Sequence, residues 1–243
     1  MSKIDIKQLF EAGAHFGHKT ARWNPNMAPY IYTKKDGVHI INLEKTVAQL
    51  EAAVKFVESV CAKGKPALFV GTKKQAREVT AKAAVSADMP YVAERWLGGM
   101  LTNQSTIVSQ IKKLKLLERR MASGELASRY NKLEVQRMQE TIDVLNNRYG
   151  GIKDMHGKPG VLVVLDAVSD RNAINEAIKL NIPVVAVCDT NADPKGIDYV
   201  IPANDDAIST LELIAGYFAA AAKAGHDKSA KAAEERKLAK GDK

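Results

Sequence analysis

The chain has only two cysteines in 243 residues, which excludes a disulfide framework or a cysteine-built metal cluster as its source of stability. Cys61 falls on the apolar face of an expected helix and Cys188 ends an apolar strand, with no Cys or His at metal-ligand spacing; both read as buried, reduced thiols. Long apolar runs are missing as well. The longest stretch of small apolar residues, 213–222, is about half the length a bilayer needs. The opening Met-Ser-Lys-Ile-Asp-Ile-Lys lacks an apolar core of signal-peptide length. A soluble, cytoplasmic protein without a membrane partner is therefore expected.

The fingerprints of nucleotide enzymes are also absent. A dinucleotide turn needs G-x-G-x-x-G after the first strand, where this chain has Gly71-Thr72-Lys73-Lys74, and no P-loop spacing occurs. The turn can still offer helix N-terminal amides, Lys73 and Lys74 to a phosphate, from RNA as readily as from a metabolite. Histidines number five and form no catalytic set. His15 and His18 are separated by Gly17 and followed by a Pro-punctuated segment, so packing or RNA hydrogen bonding outweighs a zinc or catalytic role. His39, in an alternating apolar strand, reads as a satisfied structural histidine, and His156 lies in a Gly-rich loop without an assignable partner.

What the chain does have is 46% apolar residues, ample for a core, and a net charge of +8 from 36 Lys/Arg and 28 Asp/Glu. Such a balance favours a polyanionic partner. Residues 1–42 carry six basic against three acidic side chains, 63–99 seven against three, and 103–148 nine against five; residues 149–222 reverse the sign with five against ten. One basic face and one acidic edge result.

Residues 5–12 suit a short helix, followed by an extended arm through 41. Asn42 caps a helix in which Leu43, Val47, Leu50, Val54, Val57 and Cys61 recur at spacings of three and four. Gly64 and Pro66 lead to the short strand 67–70, then a helix over 73–85 and a strand at 90–92. Residues 160–166 and 182–189 are continuous apolar runs ending in aspartate, the pattern of strands buried on both faces of a parallel sheet. A crossover helix separates them, and a short strand at 199–201 precedes a helix over 206–222. This alternation argues a doubly wound α/β domain.

Between 103 and 149 the pattern changes. Ile107, Ile111, Leu114 and Met121 form one stripe, Val135, Met138, Ile142, Leu145 and Tyr149 another, joined by Ala122-Ser123-Gly124-Glu125. Two heptad stripes with a Gly turn predict an antiparallel coiled-coil hairpin that protrudes. The division expected is an arm at 1–42, an α/β domain at 43–102 and 150–222, the hairpin insert at 103–149, and a charged Ala/Lys/Glu-rich tail at 223–243, flexible or helical only when bound.

The arm mixes the cations Lys19, Arg22, Lys34 and Lys35 with His15, His18, Trp23, Tyr30 and Tyr32, a combination that suits phosphates and unpaired bases. Arg95 and Trp96, beside Gly98-Gly99, either stack on RNA or anchor the base of the hairpin. The insert adds Lys112, Lys113, Lys115, Arg119 and Arg120, either a solvated face or a basic arm between RNA helices. Site chemistry is expected only at Asp189, Asp193 and Asp205, whose loops should meet at the carboxyl edge of the sheet. They suit one hard divalent ion such as magnesium, with turn and cap chemistry as the alternative.

Six motifs carry a resemblance: His15-Phe16-Gly17-His18, Asn42-Leu43-Glu44-Lys45-Thr46, Phe69-Val70-Gly71-Thr72-Lys73, residues 94–103 (ERWLGGMLTN), residues 150–155 (GGIKDM) and residues 189–194 (DTNADP). In order and spacing, from about residue 6 to 216, the chain resembles the S-two family of bacterial small-subunit ribosomal proteins. The resemblance implies a Rossmann-like (flavodoxin-like) α/β fold with an inserted coiled-coil hairpin, bound to small-subunit ribosomal RNA in the cytoplasm. It further implies contacts with other small-subunit proteins and help in docking the messenger-binding protein S-one. No cofactor is required on this reading; one structural magnesium ion is an expectation from the aspartates alone, not from the resemblance. The competing reading is a metal-dependent enzyme on a phosphorylated small molecule, using the aspartates and the 71–74 turn; no general base or nucleophile stands beside those aspartates in the sequence.

Overall fold

A computed structural model describes residues 4–241. The chain begins with helix α1 (Ile6–Glu11), N-capped by Asp5, whose carboxylate accepts from the Lys7 amide. Strands β1 (Phe16–Lys19), β2 (Ile31–Lys35) and β3 (Val38–Ile41) follow and pair antiparallel in the order β1-β3-β2. The segment expected as an extended arm is therefore a small sheet. Asp36-Gly37 closes it: both residues have positive φ, 51° and 76°, the backbone a two-residue hairpin turn requires.

Asn42 caps helix α2 (Leu43–Ala62) as its position predicts, accepting from the amides of Glu44 and Lys45. Strand β4 (Ala67–Val70), helix α3 (Arg77–Ser86) and strand β5 (Tyr91–Val92) come next. The insert comprises α4 (Gln104–Ala122), the short α5 (Glu125–Arg129) and α6 (Lys132–Tyr149), the last opened by a capping box between Asn131 and Glu134. The domain then resumes with β6 (Val161–Val164), α7 (Arg171–Lys179), β7 (Val184–Cys188), β8 (Tyr199–Pro202) and α8 (Ile208–Gly241).

The five later strands are all parallel, in the order β5-β4-β6-β7-β8. Counted by their entry into the sheet this is 2-1-3-4-5, the flavodoxin-like winding, with its switch point between β4 and β6. Alternation splits the apolar runs between two layers. Phe69, Val163, Leu165, Val185, Val187 and Ile201 face Leu50 and Val57 of α2 and Leu211 and Phe218 of α8. Leu68, Val70, Leu162, Val164, Val184 and Ala186 face Ile174 of α7 and the insert. Both faces being covered is why these strands read as unbroken apolar runs.

The insert is not a free-standing arm along its whole length. Ile107 and Leu114 of α4 and Ile142, Leu145 and Tyr149 of α6 are buried in the same layer as the sheet residues, whereas Met121 and Met138 are only half-buried. Asn146 donates to Glu118 across the two helices at 2.9 Å.

The tail differs from expectation in the same way. Helix α8 does not stop near 222 but continues, with Ala221, Ala222 and Gly225 buried and Lys228 paired with Glu58 on α2. Small side chains let α8 lie close along α2, and that contact supplies the burial that the tail's composition by itself cannot.

Truncating Leu114, which is fully buried, should cost roughly 2–5 kcal/mol, the range for large-to-small core changes. Met121→Ala should cost clearly less. Urea denaturation of the two variants checks this; equal losses would mean that the base of the insert is not joined to the sheet core.

Candidate functional site

The carboxyl ends of β4, β6, β7 and β8 are where ligands gather in this winding. Here they carry Asp166 after β6, Asp189 after β7, and Asp205 and Asp206 before α8, with Asp170 opening α7. Asp166, Asp170, Asp189 and Asp205 are buried. Carboxylates this close repel one another and lose hydration, so each needs a donor or a cation.

Two basic side chains answer them. Lys73, from the loop after β4, places Nζ 2.7 Å from Asp205, 2.6 Å from Asp206 and 3.8 Å from Asp166. Burial works against its charge, but the bonds to Asp205 and Asp206 outweigh it and hold the ammonium well above its ordinary pKa. His18 comes from the other direction, on β1. Its Nδ1 lies 2.9 Å from Asp189 Oδ2 and its Nε2 3.6 Å from Asp206. The hydrogen bond with Asp189, partly opposed by burial, raises its pKa. Asp205 is pushed up to about 7 by burial, with repulsion from Asp166 and Asp189 adding to it against the pull of Lys73.

The His-Phe-Gly-His motif has a structural reason. The His18 amide donates to Thr190 Oγ1 at 2.9 Å and Asp189 Oδ1 at 3.2 Å, and the Asn24 amide to the Thr190 carbonyl at 2.7 Å. Strand β1 thus lies against the loop after β7. A Cβ on Gly17 would stand 2.6 Å from Thr190 Cγ2, so only glycine fits there.

The switch crevice itself is closed. The Thr72 amide and hydroxyl both donate to Asp170, at 3.0 and 2.8 Å. The turn expected to offer its donors to a phosphate gives them to a carboxylate, and Lys73 faces aspartates. Burial pushes Asp170 up to about 6, with the Thr72 bonds opposing the rise. An edge of this charge repels anions.

Several expected residues are placed differently from the sequence reading. Asp193 does not join Asp189 and Asp205: it accepts from Asn26 Nδ2 at 3.1 Å and from the Lys195 amide, and Arg171 lies 4.0 Å away. Its place is taken by His18, whose ring nitrogen and the oxygens of Asp189 and Asp205 lie within 4.8 Å of one another. A set containing an imidazole suits a zinc-class ion better than magnesium, and Lys73 occupies part of that space.

Trp96 is buried and donates its indole N–H to Glu176 at 3.0 Å, so its ring is not free to stack on RNA. The same carboxylate accepts from the amides of Gly99, Leu101 and Thr102 and from the Thr102 hydroxyl. Burial opposes its charge, but these bonds prevail and hold Glu176 below the ordinary carboxylate range. Residues 94–103 are thus a loop wrapped round one buried anion at the root of the insert; a glutamate in an otherwise amphipathic crossover helix was the available signal. His15 stacks on Phe10 at 4.3 Å and packs tilted against Phe16 at 4.0 Å, and burial lowers its pKa. Lys19, Arg22, Lys34, Lys35, Lys74, Arg95, Lys112, Lys113 and Arg119 are exposed, Arg120 is half-buried near Glu125, and Lys115 pairs with Asp154 at 2.8 Å.

The fold and edge define a flavodoxin-like domain whose switch point is sealed by the Thr72–Asp170 bonds. Comparison with known sequences identifies its family. Residues 9–225 match the family described as Ribosomal protein S2. The small ribosomal subunit protein uS2 of Chloroflexus aurantiacus is 48% identical over 219 residues, covering 90% of this chain and 92% of the relative. That of Flavobacterium johnsoniae is 45% identical over 241 residues, covering 96% and 94%. The chain belongs to the ribosomal protein S2 family, a family of structural ribosomal proteins and not enzymes, and the metal-dependent enzyme is set aside.

The raised values of His18 and Asp205 set a pH dependence. Stability contributed by Asp205 is complete below its unfolded value of 3.8 and is lost as pH rises to about 7; that of His18 is complete below 6.5 and lost as pH rises through its raised value. In chelator, the melting temperature should therefore fall between about pH 5.5 and pH 8, and Asp205→Asn should flatten the fall. A melting temperature that rises over that interval would contradict the assignment.

Proposed function

We propose that this chain is a structural component of the small ribosomal subunit that binds ribosomal RNA through two basic surfaces and presents its acidic edge to a protein. The observation that carries this reading is the separation of charge. Exposed Lys19, Arg22, Lys34 and Lys35 sit on the N-terminal sheet, and exposed Lys112, Lys113 and Arg119 on α4, while the aspartates are gathered at the carboxyl edge. Phosphates are attracted to the first two and repelled by the third.

The acidic edge suits a protein neighbour, S-one in the resemblance drawn from the motifs. Exposed Phe10 and Phe16 lie beside His15, and exposed Ile208 opens α8, which is bonded to the Ala12 carbonyl through Ser209 and Thr210. An apolar rim next to charged groups is the composition of a protein interface rather than an RNA one. One divalent ion held by His18, Asp189 and Asp205 would relieve the carboxylate repulsion and tie β1 to the sheet. A ribosomal place in the cytoplasm follows from the same reading.

Reversing Lys112 and Lys113 to glutamate should weaken binding to small-subunit RNA and lower the slope of log affinity against log salt by about one per lost phosphate contact. Both are exposed, so melting should change little. Unchanged binding and slope would remove α4 from the RNA surface.

For the ion, zinc at about pH 7.5 should raise the melting temperature more than magnesium does, because the donor set includes an imidazole. Asp189→Asn should abolish the increment. Melting indifferent to both metals and to chelator would leave the cluster as a Lys73–His18 ion-pair network.

A further inference from the structure

His39 is the most isolated polar side chain in the N-terminal sheet. It is only 9% exposed, yet neither ring nitrogen has a hydrogen-bond partner among the described residues. A buried imidazole carries one donor and one acceptor that folding has stripped of water, and native interiors rarely leave both unmet. The ring is not enclosed by core on every side. Trp23 packs against it, with centroids 5.2 Å apart and planes at 43°, and Trp23 itself is 39% exposed. Trp23, Ala28, Ile31, Thr33, Lys34 and His39 together line a 340 Å³ surface depression.

The neighbours of this depression narrow what it takes. Lys34 is the cross-strand partner of His39, so the ammonium stem rises from the same face. Over residues 16–41 there are four basic side chains and one acidic, 4 − 1 = +3, and Lys19, Arg22, Lys34 and Lys35 are all exposed. A flat ring at the surface, an unused donor–acceptor pair beneath it and the Lys34 ammonium at its edge, in a sheet of net positive charge, match an unstacked nucleobase with its flanking phosphates. A phosphate alone would leave the indole unused, and an apolar side chain would leave the histidine unmet.

We propose that the Trp23–His39 depression receives a single splayed-out base of an RNA strand. The base stacks on the indole; a small outward shift of Trp23 brings one His39 nitrogen within hydrogen-bond reach of the base edge, and Lys34 and Arg22 meet the phosphates on either side. This rests on the RNA-binding reading above and adds a base contact to a surface otherwise described by charge.

The test uses the full-length protein with short single-stranded RNA oligomers and with abasic oligomers carrying the same number of phosphates. Base-containing oligomers should quench the emission of Trp23, the quench should vanish in Trp23→Phe, and they should bind roughly tenfold more tightly than abasic ones, in the range that stacking of one base provides. His39→Ala, checked for folding by circular dichroism, should narrow that ratio without altering abasic binding or its salt slope. Equal affinity for both oligomers with no Trp23 quench would overturn the base site and leave phosphate-driven RNA binding intact. No binding of either would overturn both. A Trp23 response to purified small-subunit proteins but not to RNA would assign the depression to a protein contact and sink the proposal.

Discussion

Neutralising the aspartates at the carboxyl end of the sheet is the constraint on which the rest of this structure depends. Asp166, Asp170, Asp189, Asp205 and Asp206 converge because parallel strands must all deliver their following loops to one edge. Left alone they would drive the loops apart. Lys73 binds the start of α8 to the loop after β4, and His18 binds the N-terminal sheet to the loop after β7. The electrostatic need of one edge thereby fixes the position of an element remote in sequence. The N-terminal sheet, which would be marginal in isolation, inherits its place from that need.

The same edge explains how a nucleotide-enzyme architecture can serve a structural role. In this winding the crevice between β4 and β6 is the natural ligand site, and it depends on free backbone amides and a favourable potential. Both are removed here. Thr72 gives its amide and hydroxyl to Asp170, and the surrounding charge is negative. The exposed basic side chains lie instead on surfaces the winding does not itself provide, the added N-terminal sheet and the insert. Fold and function are separable, and the side chains at the edge, not the topology, make the difference.

Glu176 performs on the other face what Lys73 performs at the edge. One buried carboxylate accepts five hydrogen bonds from Trp96, Gly99, Leu101 and Thr102, organising the loop from which α4 departs. An anion with that many donors is stable in the interior, and it orients the insert relative to the sheet. The basic residues of α4 are presented from a rooted helix and not from a swinging one, which suits a surface that must match a fixed partner.

Much of this was legible in the sequence. The apolar runs at 161–165 and 184–188, the Asn42 cap, the two heptad stripes and the alternation of strand and helix determined a doubly wound domain with a helical insert, because local periodicity directly reflects which faces are buried. The charge reversal between the halves was readable for the same reason: it is a sum over residues. The Asp36-Gly37 turn was equally local, and its hairpin signal is present in the chain. What only the tertiary structure decided were the pairings between distant residues. That His18 and not Asp193 completes the group with Asp189 and Asp205, that Lys73 faces carboxylates and not phosphate, that Trp96 is held by Glu176, and that α8 runs on past 222 along α2 each depend on contacts between elements 50 or more residues apart. Periodicity records which face of an element is buried but not what that face meets, and the chemistry of a side chain is set by what it meets.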